Sequence, residues 1–424
     1  MINTTKIHSI KRQNFLIALC FILYTCSYFG KYTFNASINS VISFYGVSED
    51  QAGLIGSMFF FAYGAGQIIN GLLCRFYNKK YMLAGALVIS AVINAALFLG
   101  VPFQFIKYIW FVNGFVLSCL WSSIVLVLSE SLEPKCFNKA IIIFSFSTPL
   151  GIMLAYAMSA LFVSIGSFKQ AFLCGGVIML TIALVWIICY NKFTLNKKEQ
   201  NQLHTEQFDV NSSERLRDVR GGKKIATALI VLICILGVFS VLNSFMRDGL
   251  STWVPRILKQ GYELPESLSI VLTLVVPVFG AIGAFAAVPA NKVIKNPINL
   301  SAVFFLGEAV TVGLIALCFN VSMWLVLLLL GLVNMFSQGI CNLLTSILPL
   351  TMRDKINSGF LSGLFNGCGY IGATISTYGL GWLQTLGMQW VNIFLILTAC
   401  ALFPVIVSVG IIIANKIKTK KQTQ

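Results

Sequence analysis

Twelve apolar runs follow one another along the 424-residue chain. Each is long enough to cross ~30 Å of hydrocarbon as a helix of about 20 residues. The predicted helices are α1 from Asn14 to Asn39, α2 from Gln51 to Phe76, α3 from Tyr81 to Val101, α4 from Ile106 to Ser129, α5 from Asn138 to Val163 and α6 from Gln170 to Tyr190. After a polar stretch come α7 from Ile225 to Val254, α8 from Ser267 to Ala290, α9 from Ile298 to Phe319, α10 from Met323 to Leu348, α11 from Ser358 to Leu386 and α12 from Trp390 to Ala414. A membrane barrel would need strands of ~10 residues with alternating polarity, which these unbroken runs lack. The polar stretch, residues 191–224, reads as a solvated linker between two units, 1–190 and 225–424.

Composition agrees with this pattern. With 57% hydrophobic and 10% charged residues, and a mean hydropathy of +0.85, the chain cannot cover a soluble globule of its size with polar groups. The net charge of +16 would suit nucleic acid, but its distribution argues otherwise. All but six of the 30 Lys and Arg fall on the side of the N-terminus. Lys107, Lys169, Arg256 and Lys259 fall opposite, and Lys31 and Arg247 lie inside spans. That asymmetry predicts both termini in the cytoplasm of a multi-pass plasma-membrane protein, with anionic lipid, and not nucleic acid, facing the basic loops. The first apolar run has no clear cleavage site and reads as an uncleaved helix.

Enzyme chemistry finds little to work with. His8 and His204 lie in the N-terminal tail and the linker, and no HExxH, CxxC or phosphate-cradling loop occurs. The twelve cysteines lie in or beside apolar spans without metal-ligand spacing, so no disulfide framework, metal or cofactor is expected. Glycines crowd α2 (Gly64, Gly66, Gly71) and α11 (Gly359, Gly363, Gly367, Gly369, Gly372), as in close helix seams; such seams also suit halves that slide. No stronger dimerisation motif appears, so the chain is expected to act as a monomer.

A shift of 216 residues superposes Lys31 on Arg247 and Gly64 on Gly280, a sign of an internal repeat. The expected fold is therefore an all-α membrane protein, with twelve transmembrane helices in two pseudo-symmetric six-helix bundles. A cation at membrane depth is costly and faces a protein-lined or watery cavity, so a matched pair points to a central anion site. Each cation has a plainer reading. Lys31 follows only about 24 Å of strictly apolar helix and could snorkel to the interface. Arg247 follows 22 uncharged residues and could be an interfacial anchor beside Trp253. Asp248 adjoins Arg247, and helix neighbours point to different faces, so it is free to pair across the cavity as a gating or coupling acid, or to cap the outer surface. Glu308, mid-span in α9, is either a proton-coupling acid or a protonated carboxyl bonded to a neighbouring helix. Tyr28, Tyr32, Asn35, Tyr63 and Asn366 are the polar side chains on candidate cavity helices; most such groups simply bond to facing helices.

The segment SFMRDGLSTWVPRIL resembles the seventh-helix stretch of the organophosphate:phosphate antiporter family, within the major facilitator superfamily, with Arg247, Gly249, Trp253 and Pro255 in register. SYFGKYTF resembles that family's first-helix stretch, GFVLSCLWSS its fourth (Gly114, Trp121), GLLCRFYNKK the loop after its second (Gly71, Asn78, Lys80), and SGFLSGLFNGCGYIG its eleventh. The resemblance implies two parallel repeats rocking about a midplane site, with Lys31 and Arg247 holding the substrate phosphate. Five positions depart from the family pattern: Arg75 replaces an acid, Ser122 and Ser123 replace prolines, Thr148 stands where phosphate transporters have histidine, and Lys31 replaces arginine, a point charge for a bidentate fork. The expected function is secondary active transport of a small organic anion, a sugar phosphate or a carboxylate, by antiport or proton coupling. Its rivals are a carrier of a neutral or cationic solute, and a non-transporting sensor of an organic phosphate.

Overall fold

Twelve helical rods account for the chain in a computed structural model that describes residues 9–74, 76–190, 227–352, 356 and 358–422. The linker 191–224, His8, Arg75, Arg353 and Lys355 lie outside the described residues. Rod α1 comprises Ile10–Ser27, Phe29–Ala36 and Ile38–Tyr45; α2 is Glu49–Leu73, α3 Lys79–Leu99, and α4 Phe103–Leu117 with Cys119–Ser131. Rod α5 is Pro134–Phe144 with Ser147–Ser164, and α6 is Phe168–Tyr190. In the second half α7 is Thr227–Ser244, a π turn at Phe245–Gly249, and Leu250–Tyr262; α8 is Glu266–Leu272 with Val275–Val293; α9 is Pro297–Cys318. Rod α10 is Met323–Asn342, a π turn at Leu343–Ile347, and Leu348–Thr351; α11 is Ser358–Thr385 and α12 Trp390–Gln422. Eleven of them are long and apolar enough to cross a membrane. The other, α11, has 28 residues, about 42 Å of helix, but Gly, Ser, Thr and Asn dilute its hydropathy.

The repeat is visible in how the rods pack. In the first half α2 lies on α4 and α3 on α6; in the second, α8 lies on α10 and α9 on α12. Each half has its own apolar core, anchored by Trp110 and Trp186 in one and by Trp253, Phe305 and Phe394 in the other, all fully buried. Ile38, Ile42 and Ala52 cross over: they belong to the first half by sequence but are buried in the second half's core. The outer belt is bare Leu, Ile, Val and Phe, a surface suited to acyl chains and not to water.

Two predicted ends move outward. The reading stopped α1 at Asn39 and α7 at Val254, where a bilayer's thickness was spent, but α1 runs on to Tyr45 and α7 to Tyr262. Their extra turns persist because they bury residues against the opposite half. Thus Arg256 and Lys259, taken as loop charges, are helical. Gly46, with φ +61°, ends α1 in the left-handed conformation that glycine adopts without a Cβ penalty. The Gln51 side chain then accepts from the Ser48 N–H at 3.2 Å and starts α2.

Candidate functional site

Close helix packing decides where Lys31 points. Its neighbour Gly30 lies against α3 and α6, where an added Cβ would press on Met179, and the Gly30 carbonyl accepts from Asn113 Nδ2 at 2.7 Å. The next residue therefore turns toward the middle of the molecule. There the Lys31 ammonium lies 3.9 Å from the Tyr63 ring centroid, 5.4 Å from Tyr28, and 5.9 Å from both Tyr32 and Phe59. These are cation–π distances. Among the described residues Lys31 forms no ion pair. Tyr28 stacks on Tyr32, and Phe59 on Tyr63, which walls the ammonium with ring faces from α1 and α2.

Arg247 lies in the π turn of α7, a local overwide turn of the kind that often marks functional positions. Its Nε and Nη2 donate to the two carboxylate oxygens of Asp248 at 3.1 and 2.7 Å, and its Nη1 donates to Gln338 Oε1 of α10 at 3.1 Å. This corrects the expectation that Asp248 would pair across the cavity. In the wider turn successive residues diverge less than in an α-helix, and the long guanidinium folds back onto its neighbour's carboxylate. Lys31 and Arg247 lie on α1 and α7, rods of opposite halves that cross at the Asn35–Thr252 contact, four and five residues further along each. Tyr370 of α11 lies against the Tyr63 ring, with centroids 5.1 Å apart, so the second half also reaches the ring wall around Lys31.

The remaining candidates divide between this chamber and its seams. The hydroxyls of Thr148 and Tyr28 share a hydrogen bond of 2.7 Å, which ties α5 to the ring wall. Asn366 donates to Gln67 Oε1 at 2.6 Å across the α2–α11 seam. Asn35 donates to Thr252 Oγ1 at 3.2 Å, across the α1–α7 crossing. Glu308 is fully buried between α9 and α10, where it accepts from the Ser337 hydroxyl while its Oε2 has no partner. Sequence reasoning missed Phe59, Tyr370 and Gln338. Two are aromatic residues in apolar runs, indistinguishable there from lipid-facing ones; Gln338 is one of three amides in α10, with Asn334 and Asn342, and nothing in the sequence singles it out from them.

Polar contacts between the halves gather at the end that holds the α1–α2 and α7–α8 connections. Arg256 pairs with Glu49 and donates to Asn39 Oδ1 at 3.3 Å. Glu266 takes Lys259 at 2.8 Å and the Ser40 hydroxyl, while Thr385 donates to Asp50 at 3.0 Å. Bare backbone makes this closure tight. A Cβ on Gly53 would lie 2.6 Å from the Thr377 carbonyl oxygen, and one on Gly381 would lie 2.6 Å from that of Glu49. Of the glycines singled out earlier, Gly64 faces Tyr370 in the other half, Gly66 faces Ser118 and Gly372 faces Val241 in their own, and a Cβ on Gly363 would meet nothing within 4 Å, so Gly363 makes no close seam.

Comparison with known proteins agrees with this architecture. The "Probable hexose phosphate transport protein" of Chlamydia pneumoniae is 21% identical over 411 residues, covering 90% of this chain and 87% of that protein. The "3-(3-hydroxy-phenyl)propionate transporter" of Escherichia coli (strain K12) is 21% identical over 398 residues, covering 93% and 92%. Among solved structures, a bacterial homologue of the human lysosomal transporter Spinster superposes with a TM-score of 0.72 at 12% identity, covering 96% of this chain and 98% of that one. The model of the Major Facilitator Superfamily matches residues 20–377, and the chain belongs to that family: it is a multi-pass membrane transporter of a small molecule, not an enzyme.

Proposed function

We propose that this transporter carries a small organic anion, a phosphorylated metabolite or a carboxylate, across the plasma membrane by alternating access, with Lys31 and Arg247 as its cationic contacts. The observation that carries the reading is the Lys31 ammonium: it lies at membrane depth, ringed by aromatic faces, without a carboxylate of its own. A desolvated cation so placed is costly unless an anion joins it for part of the cycle. Arg247, held by Asp248 and Gln338, faces it from the second half. The names of the two relatives above, a hexose phosphate and a phenylpropionate, are both those of anions. Tyr28, Tyr32 and Tyr63 wall the site, Thr148 braces Tyr28, and Asn35 and Asn366 act at its seams. Asp248 serves as the internal counter-charge that Arg247 exchanges for substrate, which makes it the gating acid.

The Lys and Arg asymmetry supports cytoplasmic termini, which makes the Arg256–Glu49 end the outer face and the present conformation closed to the outside. With no nucleotide-binding motif, a gradient of substrate, counter-anion or protons drives the cycle, and the chain works as a monomer. The test is exchange of labelled phosphate esters and carboxylates in proteoliposomes. Lys31→Ala and Arg247→Ala are expected to abolish exchange, and Lys31→Arg to retain it. Full exchange by the double alanine variant would end the proposal, and saturable uptake indifferent to phosphate and carboxylate competitors would replace it with a neutral cargo.

A further inference from the structure

Charge and shape in the chamber narrow the cargo further, on the footing of the anion reading above. Three ionised side chains meet there. Arg247 and Asp248 form a two-point ion pair and cancel, which leaves the single positive charge of Lys31. Glu308, the next acid within range of Arg247, is fully buried with no cation partner; counting it as ionised would lower the sum further. A phosphate monoester brings about −1.5 to −2 at neutral pH, so it would enter this space with excess negative charge in a setting that screens poorly. A carboxylate brings one negative charge, which Lys31 alone balances.

The walls point the same way. A sugar is read by amide and carboxylate groups that meet its hydroxyls, because each unpaired buried hydroxyl is costly. Here three amides are already bonded to protein, Gln338 to Arg247, Asn366 to Gln67 and Asn35 to Thr252, and none is among the groups around the ammonium. What surrounds the ammonium instead is ring face, from Tyr28, Tyr32, Phe59 and Tyr63, with Tyr370 closing on Tyr63 at 5.1 Å. Stacked and edge-on rings favour a flat apolar body. We infer that the substrate is a monoanion with an aromatic or otherwise flat apolar body, an aryl carboxylate in type, and not a polyhydroxylated phosphate ester.

The experiment ranks three probes on the purified full chain by ligand-induced thermal stabilisation at pH 7: phenylacetate (one charge, one ring), lactate (one charge, no ring) and glucose 6-phosphate (close to two charges, hydroxyls). Phenylacetate is expected to bind at least about tenfold more tightly than either of the others. Tyr63→Leu should weaken phenylacetate about fivefold while leaving lactate within about twofold, since only the ring partner is lost. Asp248→Asn, which adds one net positive charge, should move the ratio about tenfold toward glucose 6-phosphate. Tighter binding of glucose 6-phosphate than of phenylacetate by the native protein would overturn this inference and leave the anion reading standing. Absence of stabilisation by all three, together with no anion exchange in proteoliposomes, would overturn both. The native ranking is decisive even if a variant fails to fold.

Discussion

Replacing Arg256 by alanine should open the closed end of the molecule. Arg256 projects from the extension of α7, pairs with Glu49 at the first residue of α2, and donates to Asn39 of α1, so one guanidinium joins three rods across the two halves. The Arg256 and Glu49 side chains are 13% and 19% exposed. Exposed pairs contribute about 0.2–1 kcal/mol, and breaking a buried pair costs about 3–5 kcal/mol. A pair this sheltered but still wetted falls between them, at roughly 1.5–3 kcal/mol, which corresponds to a shift of roughly 10- to 150-fold in the closed-to-open ratio. Amide hydrogen exchange reads this directly in peptides spanning residues 35–56 and 250–266. Both should exchange faster in Arg256→Ala and in Glu49→Ala, while peptides from the α3–α6 contact should not change. The double variant should cost no more than either single change, and the reversed pair, Arg256→Glu with Glu49→Arg, should recover most of the protection. Native-like exchange in both single variants, or two strictly additive effects, would refute the reasoning.

Other expectations follow from single contacts. Glu308→Gln should leave pH-gradient-driven transport intact and shift unfolding by less than ~1 kcal/mol, because an amide oxygen still accepts from Ser337; loss of that transport would make Glu308 a coupling acid. Gly53→Ala should destabilise the closed end by about 1–3 kcal/mol, since its Cβ meets the fixed Thr377 carbonyl. Gly85→Ala, with nothing within 4 Å of its Cβ, should stabilise α3 by about 0.5–1 kcal/mol, and thermal unfolding of the two variants compares them directly. An anion probe that slows exchange at the closed end prefers the closed form, so it should bind Arg256→Ala more weakly to the extent that the variant populates the open form, and by no more than that factor.

The spans were legible because lipid imposes a simple composition on whatever crosses it, and the twelve observed rods follow the predicted order with ends differing mostly by a few residues. Of the large differences, at α1, α7 and the C-terminal end of α12, the first two arise where a helix leaves the apolar layer yet keeps its partners. Hydropathy cannot see that Arg256 meets Glu49 and Asn39, and Ser40 meets Glu266, each contributed by a remote part of the chain. Lys31 and Arg247 stood out as isolated charges in apolar runs; Lys31 meets ring faces of α1 and α2, and Arg247 meets Asp248 and Gln338. Asp248 was misread because the argument assumed α-helical azimuths, and nothing in FMRDG announces a π turn. Asn35 and Asn366 were polar residues on the right helices, but each is spent on a cross-half hydrogen bond, as intramembrane amides commonly are.

The chamber and the closed end are built on the same two rods, so a signal between them needs no long path. Lys31 and Asn39 are eight residues apart on α1, about 12 Å of helix, and Arg247 and Arg256 are nine apart on α7, about 13.5 Å. Between and beside them the rods depart from regular α geometry: α1 is interrupted at Tyr28 and Ser37, and α7 at the π turn that carries Arg247 itself. Phe29–Ala36 is unbroken helix, whereas Leu250–Tyr262 carries Pro255 within it, so bending is cheapest at the breaks at Tyr28 and Ser37 on α1 and at the π turn and that proline on α7. A change in the distance between the two mid-depth cations must therefore appear at the Asn35–Thr252 and Arg256–Glu49 contacts as a change of angle between α1 and α7. That geometry explains why the polar contacts between halves are concentrated beyond the cations, on the extensions of these two rods, where a small rotation about the breaks is amplified most.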